Sequence, residues 1–535
     1  MIPNMNFLRA TCVVVLLAVT SACQRTSEAA QMDPPTLAVL LVVDQLRADL
    51  LDRYDAVFTG GFRRLLDEGY RFTNATHDHG VTTTGPGHTT LATGVYPTRH
   101  GIVGNSWSEF SEGEFRSVYS MEDLDNTILG YPGLPGRSSA NINRPGLPDW
   151  IKDGDPLSRV VSISRKDRAA IGLAAKVAGE VYWLVERGGE FVTSEFYHSE
   201  YPTWITEFNT TTMPIVYSDT VWESTIPQEA LSLSRPDTSR FEFDREHTAF
   251  PHRASESVDT ADPLALNSWR YRYTPFPDRA VLALASEAIQ ELQLGLRGSV
   301  DYLGVSLSQT DLVGHNFGPL SREQFDNLLR LDVELGVFFS FLDETVGAGR
   351  WVVALSADHG VLDVPEHLVE SGVDAGRVTR GDSRELRRTM QSALDGLGED
   401  EAPEDAVKAA LVALPFVAAA YTFADIEMGV PADSFQVLFA RSHSRTRLVG
   451  PAARAGVYVR YQPNVLTSST YPASHSSPYY YDRHVPMIFL GGAIQPGVSN
   501  DRVATVDVAP TLAWLIGTPA PGDLDGRVLE SVLAH

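Results

Sequence analysis

Cysteine is almost missing from this sequence of 535 residues, in which only Cys12 and Cys23 are present. Both lie in an apolar N-terminal segment or at its end, so the chain after residue 23 has no thiol. This excludes disulfide bonds and cysteine-ligated zinc from the rest of the chain. Any metal site there must use histidine, aspartate or glutamate.

The sequence also lacks an excess of positive charge. It has 43 lysine and arginine residues against 68 acidic ones, which gives a net charge of −25. This balance argues against nucleic acid as a partner, because phosphate backbones bind basic surfaces. A small anionic substrate would need a local positive site, and a pair of metal ions would provide one.

Apolar runs long enough to span a membrane are missing after the N-terminus. Arg9 precedes a short apolar run, residues 12–19, which leads into small residues before Cys23. This pattern predicts a signal peptide over residues 1–23, followed by a polar tether over residues 24–36. Cys23 resembles the cysteine of a lipoprotein box, and plain secretion is the alternative. We therefore expect an exported protein, periplasmic, secreted, or attached to the outer membrane through a lipidated Cys23.

Four apolar runs predict buried strands, at residues 38–43, 159–163, 302–307 and 351–355. Helical patterns lie between them, at residues 278–294 and 321–342. This alternation predicts an α/β fold with a doubly wound, mostly parallel central sheet and helices on both faces. The ligand site of such a sheet lies beyond the carboxyl ends of its strands. Two segments fit the pattern poorly and are predicted to be insertions, at about residues 212–275 and 365–470. The second segment could instead form a cap lobe.

A threonine-rich segment, residues 81–94, predicts a helix with a hydroxyl at its start. Pro86 suits the first turn of this helix and Gly94 suits its C-terminal end. Thr84 would then lie just before the helix, where free backbone N–H groups and the helix dipole favour an anion. A nearby metal would stabilise a Thr84 alkoxide. Taken alone, Thr84 also fits a plain N-cap role.

Two further segments contain side chains that bind metals. Asp311 and His315 stand four residues apart, which places them on one face of a helix. Asp358 and His359 end a buried strand. Zinc binds histidine nitrogen and carboxylate oxygen, and three protein ligands leave the open position of a catalytic site. Asp311 and His315 alone are also typical of surface polarity, but together with Asp358, His359 and Asp44 they predict a metal site.

In this order, the motifs resemble those of the alkaline phosphatase superfamily, and the resemblance runs from about residue 37 to the C-terminus. The matching motifs are Asp44 after an apolar strand, Thr84-Gly85-Pro86-Gly87-His88, Asp311 with His315, Asp358-His359-Gly360, a late histidine and residues 505–512. The resemblance implies one catalytic domain over residues 37–535 with two zinc ions. It implies one zinc held by Asp311, His315 and His475. It implies a second zinc held by Asp44, Asp358, His359 and the nucleophile Thr84.

The late histidine has two candidates, His475 and His484. We favour His475 because it precedes a loop, as the ligand does in the family, whereas His484 adjoins a predicted strand. The remaining histidines around the threonine-rich segment are interpreted as loop or supporting residues rather than ligands: His77, His79, His88 and His100.

Three further residues indicate which branch of the superfamily the chain resembles. Asn105 matches an asparagine that contacts a phosphoryl oxygen in the nucleotide pyrophosphatase/phosphodiesterase branch and its monoesterase relatives. Lys166 and Arg168 resemble the Lys-x-Arg element of phosphate-irrepressible, threonine-dependent alkaline phosphatases. A monoester dianion carries one more non-bridging charge than a diester, and a lysine with an arginine would bind it. Solvated surface charges are the alternative interpretation of this pair.

The sequence therefore predicts a zinc-dependent phosphomonoesterase that forms a phosphothreonine at Thr84 and has weaker diesterase activity. Its substrates would be small phosphate esters, and we expect a monomer. One alternative is a phosphodiesterase or nucleotide pyrophosphatase with the same two-metal site. Another alternative is a non-catalytic lipoprotein that binds zinc or phosphate.

Overall fold

A nine-stranded sheet forms the centre of the computed structural model. The strands are β1 Leu37–Val43, β2 Tyr70–Thr76, β3 Val160–Ser164, β4 Glu180–Val185, β5 Glu190–Val192, β6 Asp301–Leu307, β7 Trp351–Ser356, β8 His484–Gly491 and β9 Gly497–Ala504. Their order across the sheet is β9-β2-β8-β7-β1-β6-β3-β4-β5. The structure describes residues 34–185, 189–216, 218, 221–242, 248–253, 272–398, 401–468 and 471–533. The predicted signal peptide and most of the tether lie outside these residues.

Most strands of this sheet are parallel. β1 pairs in parallel with β6 on one side and β7 on the other, and β6 continues in parallel to β3 and β4. β8 is antiparallel to β7 and β2, and β5 is antiparallel to β4. The predicted mostly parallel sheet is confirmed, and the carboxyl ends of its three central strands meet at one edge.

Twelve helices of seven or more residues accompany the sheet in the described chain. They are α1 Ala48–Tyr54, α2 Gly61–Glu68, α3 Thr84–Thr93, α4 Leu147–Gly154, α5 Asp167–Ala174, α6 Phe276–Glu291, α7 Gln309–Phe317, α8 Arg322–Leu342, α9 Arg380–Asp395, α10 Pro403–Leu411, α11 Ser434–Arg441 and α12 Val508–Leu515. Shorter helices are Pro97–His100, Thr203–Glu207, Met213–Val216, Pro365–Glu370, Phe423–Glu427 and Tyr480–Arg483. Among the described residues, none of these helices combines the length and apolarity that crossing a membrane requires.

The two faces of β1 are covered by different helices, because side chains alternate along a strand. Leu37, Val39 and Leu41 pack in a core with α1, α2, α6 and α8. Ala38, Leu40 and Val42 pack in a second core with α3, α4 and α12. The predicted helices on both faces are confirmed.

The chain between β7 and β8 contains apolar clusters of its own. α9 and α10 pack with the antiparallel strands Val417–Thr422 and Val457–Tyr461, and α11 belongs to a neighbouring cluster. Other short strand pairs are Ser106–Ser111 with Glu114–Tyr119, Val221–Trp222 with His252–Arg253, and Gly376–Arg377 with Val465–Leu466. The predicted insertions at residues 212–275 and 365–470 stay predictions, and part of the first lies outside the described residues.

Candidate active site

Three aspartates follow the carboxyl ends of the three central strands. Asp44 comes directly after β1, Asp358 lies two residues after β7, and Asp311 lies in the first turn of α7 after β6. All three are buried, with 0%, 0% and 3% of their surface exposed. The parallel pairing of β1 with β6 and β7 therefore gathers three carboxyl groups from distant parts of the sequence.

Asp44, Asp358 and His359 form the first candidate ligand group. One atom from each lies within 4.8 Å of the others. His359 Nε2 is 3.6 Å from Asp44 Oδ1 and 3.3 Å from Asp358 Oδ2. Asp44 Oδ1 and His359 Nε2 are buried without a hydrogen-bond partner among the described residues, and Asp358 Oδ2 has the ring of His88 3.2 Å away. Because burying unpaired polar atoms is costly, a cation between them fits this arrangement.

Asp311, His315 and His475 form the second candidate ligand group, within the same 4.8 Å limit. His315 Nε2 is 3.1 Å from Asp311 Oδ1, one turn away on α7, and His475 Nε2 is 3.6 Å from that oxygen. The Nδ1 atoms of His315 and His475 hydrogen-bond to the carbonyl oxygens of Ala473 and Thr82, at 2.8 and 2.7 Å. These bonds orient both rings with Nε2 towards Asp311.

The two groups lie side by side. The rings of His359 and His475 stack with their centroids 3.6 Å apart. His484, the other candidate for the late histidine, is 3.0 Å from the carbonyl oxygen of Thr73 and stacks on Tyr480. The structure thus places His475 in a ligand group and His484 outside both.

Electrostatics favour cations at these groups. Burial and repulsion from Asp358 raise the pKa of Asp44 well above its usual value. Burial lowers the pKa values of His359 and His475, which makes both rings neutral at neutral pH. Neutral imidazole and carboxylate are the ligand forms that bind zinc, and a cation beside Asp44 would offset the repulsion that raises its pKa. The residues present therefore fit a pair of divalent metal ions.

Thr84 is the first residue of α3, with Thr83 as the N-cap. The sequence pattern predicted it just before the helix, which differs from the structure by one residue. Thr84 is 1% exposed, and the neighbouring Gly85 N–H donates to Asn105 Oδ1 at 2.7 Å. A Cβ atom at Gly87 would overlap the carbonyl oxygen of Asp358, so glycine allows the helix to approach the first ligand group.

His88 connects α3 to the first ligand group. It is 0% exposed, and its Nδ1 lies 2.9 Å from the Thr84 carbonyl oxygen and 3.2 Å from Asp358 Oδ2. His77 lies 2.8 Å from the carbonyl oxygen of Ala357. The predicted supporting histidines, His79 and His100 included, lie outside both ligand groups.

Lys166 lies between the two groups. Its Nζ is 2.6 Å from Asp44 Oδ2 and 2.6 Å from Asp311 Oδ2.

Arg168 lies on α5, and although burial opposes its charge, Tyr119 and Asp167 raise its pKa above the usual value. A cavity of about 470 Å³ is lined by Thr84, Asn105, Lys166, Arg168, Asp311, His315 and His475, among others. The structure therefore places the predicted phosphoryl-binding residues and the predicted nucleophile, Thr84, around one cavity.

Gln45 is a site residue that sequence reasoning missed. It donates hydrogen bonds to Asp358 and Asp311, one from each ligand group. Its position directly after Asp44 was the only signal in the sequence.

Comparison with known proteins identifies the family. Residues 38–404 match the family model described as Type I phosphodiesterase / nucleotide pyrophosphatase. The chain is 30% identical to alkaline phosphatase PhoV of Synechococcus elongatus, over 93% of each chain. It is 30% identical to alkaline phosphatase PafA of Elizabethkingia meningoseptica, over 94% of this chain and 95% of that one. The chain belongs to the Type I phosphodiesterase / nucleotide pyrophosphatase family and is a phosphoric ester hydrolase, which confirms the predicted resemblance.

Solved structures agree with the fold. The crystal structure of wild-type alkaline phosphatase PafA has a TM-score of 0.82 at 29% identity and covers 94% of this chain and 99% of that chain. Murine ectonucleotide pyrophosphatase / phosphodiesterase 5 has a TM-score of 0.52 at 14% identity, which is a likeness of fold alone. The predicted α/β class is confirmed.

Proposed function

We propose that this enzyme is a zinc-dependent phosphomonoesterase with Thr84 as its nucleophile and with weaker activity on diesters. One observation carries the proposal: two candidate ligand groups adjoin each other beside a cavity that Thr84 and Lys166 both line. Lys166 contacts a carboxylate of each group. The names of the relatives PhoV and PafA support the monoesterase assignment.

The residues would hold two zinc ions, one on Asp311, His315 and His475, and one on Asp44, Asp358 and His359 together with Thr84. Bound zinc ions would polarise the phosphoryl group and lower the pKa of a coordinated hydroxyl or water. Both ligand sets combine imidazole nitrogen with carboxylate oxygen, which suits zinc.

The protein side chains position the reacting groups. Thr84 Oγ1 loses its proton and forms a bond to phosphorus while the bond to the ester oxygen breaks, and the ester oxygen takes up a proton and leaves as the alcohol. Water then attacks the phosphothreonine, which releases phosphate and restores the Thr84 hydroxyl. The N-terminus of α3 favours the negative charge that develops beside it.

Asn105, Lys166 and Arg168 hold the non-bridging oxygens of the phosphoryl group. A monoester dianion offers three such oxygens, which an ammonium and a planar guanidinium bind well. A diester replaces one of them with an alkylated oxygen, so it loses part of this binding.

A phosphodiesterase or nucleotide pyrophosphatase is the second candidate, favoured by the description of the family model. The test is to compare 4-nitrophenyl phosphate with bis(4-nitrophenyl) phosphate at equal metal loading. We expect the wild type to prefer the monoester, and Lys166→Ala and Arg168→Ala to lose far more monoesterase than diesterase activity. Lys408→Ala on α10 is the matched control. A wild-type preference for the diester would favour the second candidate.

We also propose that the protein is exported, on the basis of the signal-like residues 1–23, and acts as a monomer on small phosphate esters rather than nucleic acid. The N-terminal mass of the mature protein would distinguish a lipidated Cys23 from plain cleavage.

A further inference from the structure

Gln45 has an unusual backbone for a residue with a side chain. Its φ of +68° lies in the left-handed region, which only a small share of non-glycine residues adopt. The residue is 0% exposed. Such conformations persist where surrounding contacts hold them, and they concentrate at functional sites.

The contacts of Gln45 reach both candidate ligand groups. Its backbone N–H donates to Asp358 Oδ1 at 3.0 Å. Its side-chain Nε2 donates to Asp311 Oδ1 at 2.6 Å. One residue therefore restrains a carboxylate of each group, through its main chain on one side and its amide on the other.

Gly314 makes room for the Gln45 amide. It lies within α7, between Asp311 and His315, where alanine would normally favour the helix. A Cβ atom at this position would overlap Gln45 Oε1. Helix propensity therefore favours alanine at residue 314, whereas the Gln45 amide requires glycine there.

We propose that Gln45 is a positioning residue that fixes the orientation of Asp311 and Asp358 for metal binding, with Gly314 providing the space it needs. The inference rests on the proposed function, because it requires that both groups bind metal. Partners of ligating carboxylates typically contribute about 10–100-fold to metal affinity or activity.

The test titrates Zn²⁺ alone into chelator-treated protein by calorimetry. Gln45→Gly keeps the backbone N–H and suits a positive φ, so of the two hydrogen bonds it removes the one to Asp311 and keeps the one to Asp358. We expect Zn²⁺ affinity at one of two sites to fall about 10–100-fold. Gly314→Ala should give a similar loss by displacing the amide. Gln293→Gly, at an exposed residue with φ of +49°, is the control and should change neither affinity.

The double variant Gln45→Gly/Gly314→Ala gives a second readout. Since the displaced amide is already absent, it should bind Zn²⁺ no more weakly than Gln45→Gly alone, which is a non-additive result. Unchanged affinities in both single variants, with two sites in the wild type, would overturn this inference and leave the proposed function standing. A wild type that binds no Zn²⁺ would overturn both.

Discussion

Replacing Lys166 with methionine tests how the two ligand groups are held together. Methionine keeps an unbranched side chain of similar length but removes the ammonium that lies 2.6 Å from both Asp44 and Asp311. The three side chains are 5%, 0% and 4% exposed, so solvent screens the contacts weakly. The substitution therefore leaves two buried carboxylates without their shared cation.

Removing one partner of a buried ion pair typically costs about 3–5 kcal/mol. We expect a loss of up to this size in the free energy of unfolding of chelator-treated Lys166→Met protein at pH 8, because Asp44, whose pKa is already raised, can take up a proton when the ammonium is removed. In the zinc-loaded protein we expect a much smaller difference, because the metal ions supply positive charge beside the same carboxylates.

Urea denaturation of both variants, with and without zinc, measures the two differences. Lys408→Met on α10 is the control and should change neither state appreciably. An equal loss in the chelated and loaded proteins would refute the reasoning, because it would mean that Lys166 contributes by packing rather than by charge.

Two further predictions concern buried carboxylates outside the ligand groups. Asp332 accepts hydrogen bonds from four backbone N–H groups at the start of α2. Asp332→Ala should therefore lower the free energy of unfolding, measured in urea, by about 3–5 kcal/mol without changing the metal content. A loss below about 1 kcal/mol would contradict this. Burial raises the pKa of Asp278 from its usual 3.8 to about 7, so the folded state holds its proton more tightly and stability should fall by up to about 4 kcal/mol as pH rises from about 4 to 7. Asp278→Asn should remove this part of the pH dependence of the free energy of unfolding, measured by urea denaturation at several pH values. An unchanged pH dependence would contradict the assignment to Asp278.

The strands that carry the site could be predicted because they are continuous apolar runs. The run at residues 38–43 is observed as Leu37–Val43, and the run at 351–355 as Trp351–Ser356. The antiparallel direction of β8 could not be predicted, because it depends on pairing with β7 and β2 from distant parts of the chain.

Asp44, Asp358 and His359 could be predicted as candidate ligands from residue type at strand ends, and Asp311 with His315 from their spacing. His475 was assigned through the family resemblance, and the supporting residues were not predicted. The positive φ of Gln45 and its bonds to Asp358 and Asp311 depend on three separate segments. The contact of His88 with Asp358 likewise depends on how closely α3 packs at Gly87. Local sequence patterns do not determine such contacts between segments.

The most direct test of the central claim is to look for phosphate on Thr84 during turnover. The zinc-loaded enzyme would be mixed with a labelled phosphate monoester, quenched in acid and digested, and its peptides analysed by mass spectrometry. We predict phosphate on Thr84 in the wild type, and a Thr84→Ala variant that retains both metals but loses turnover. A Thr84→Ala variant that turns over at the wild-type rate, or phosphate found only on another residue, would contradict the account.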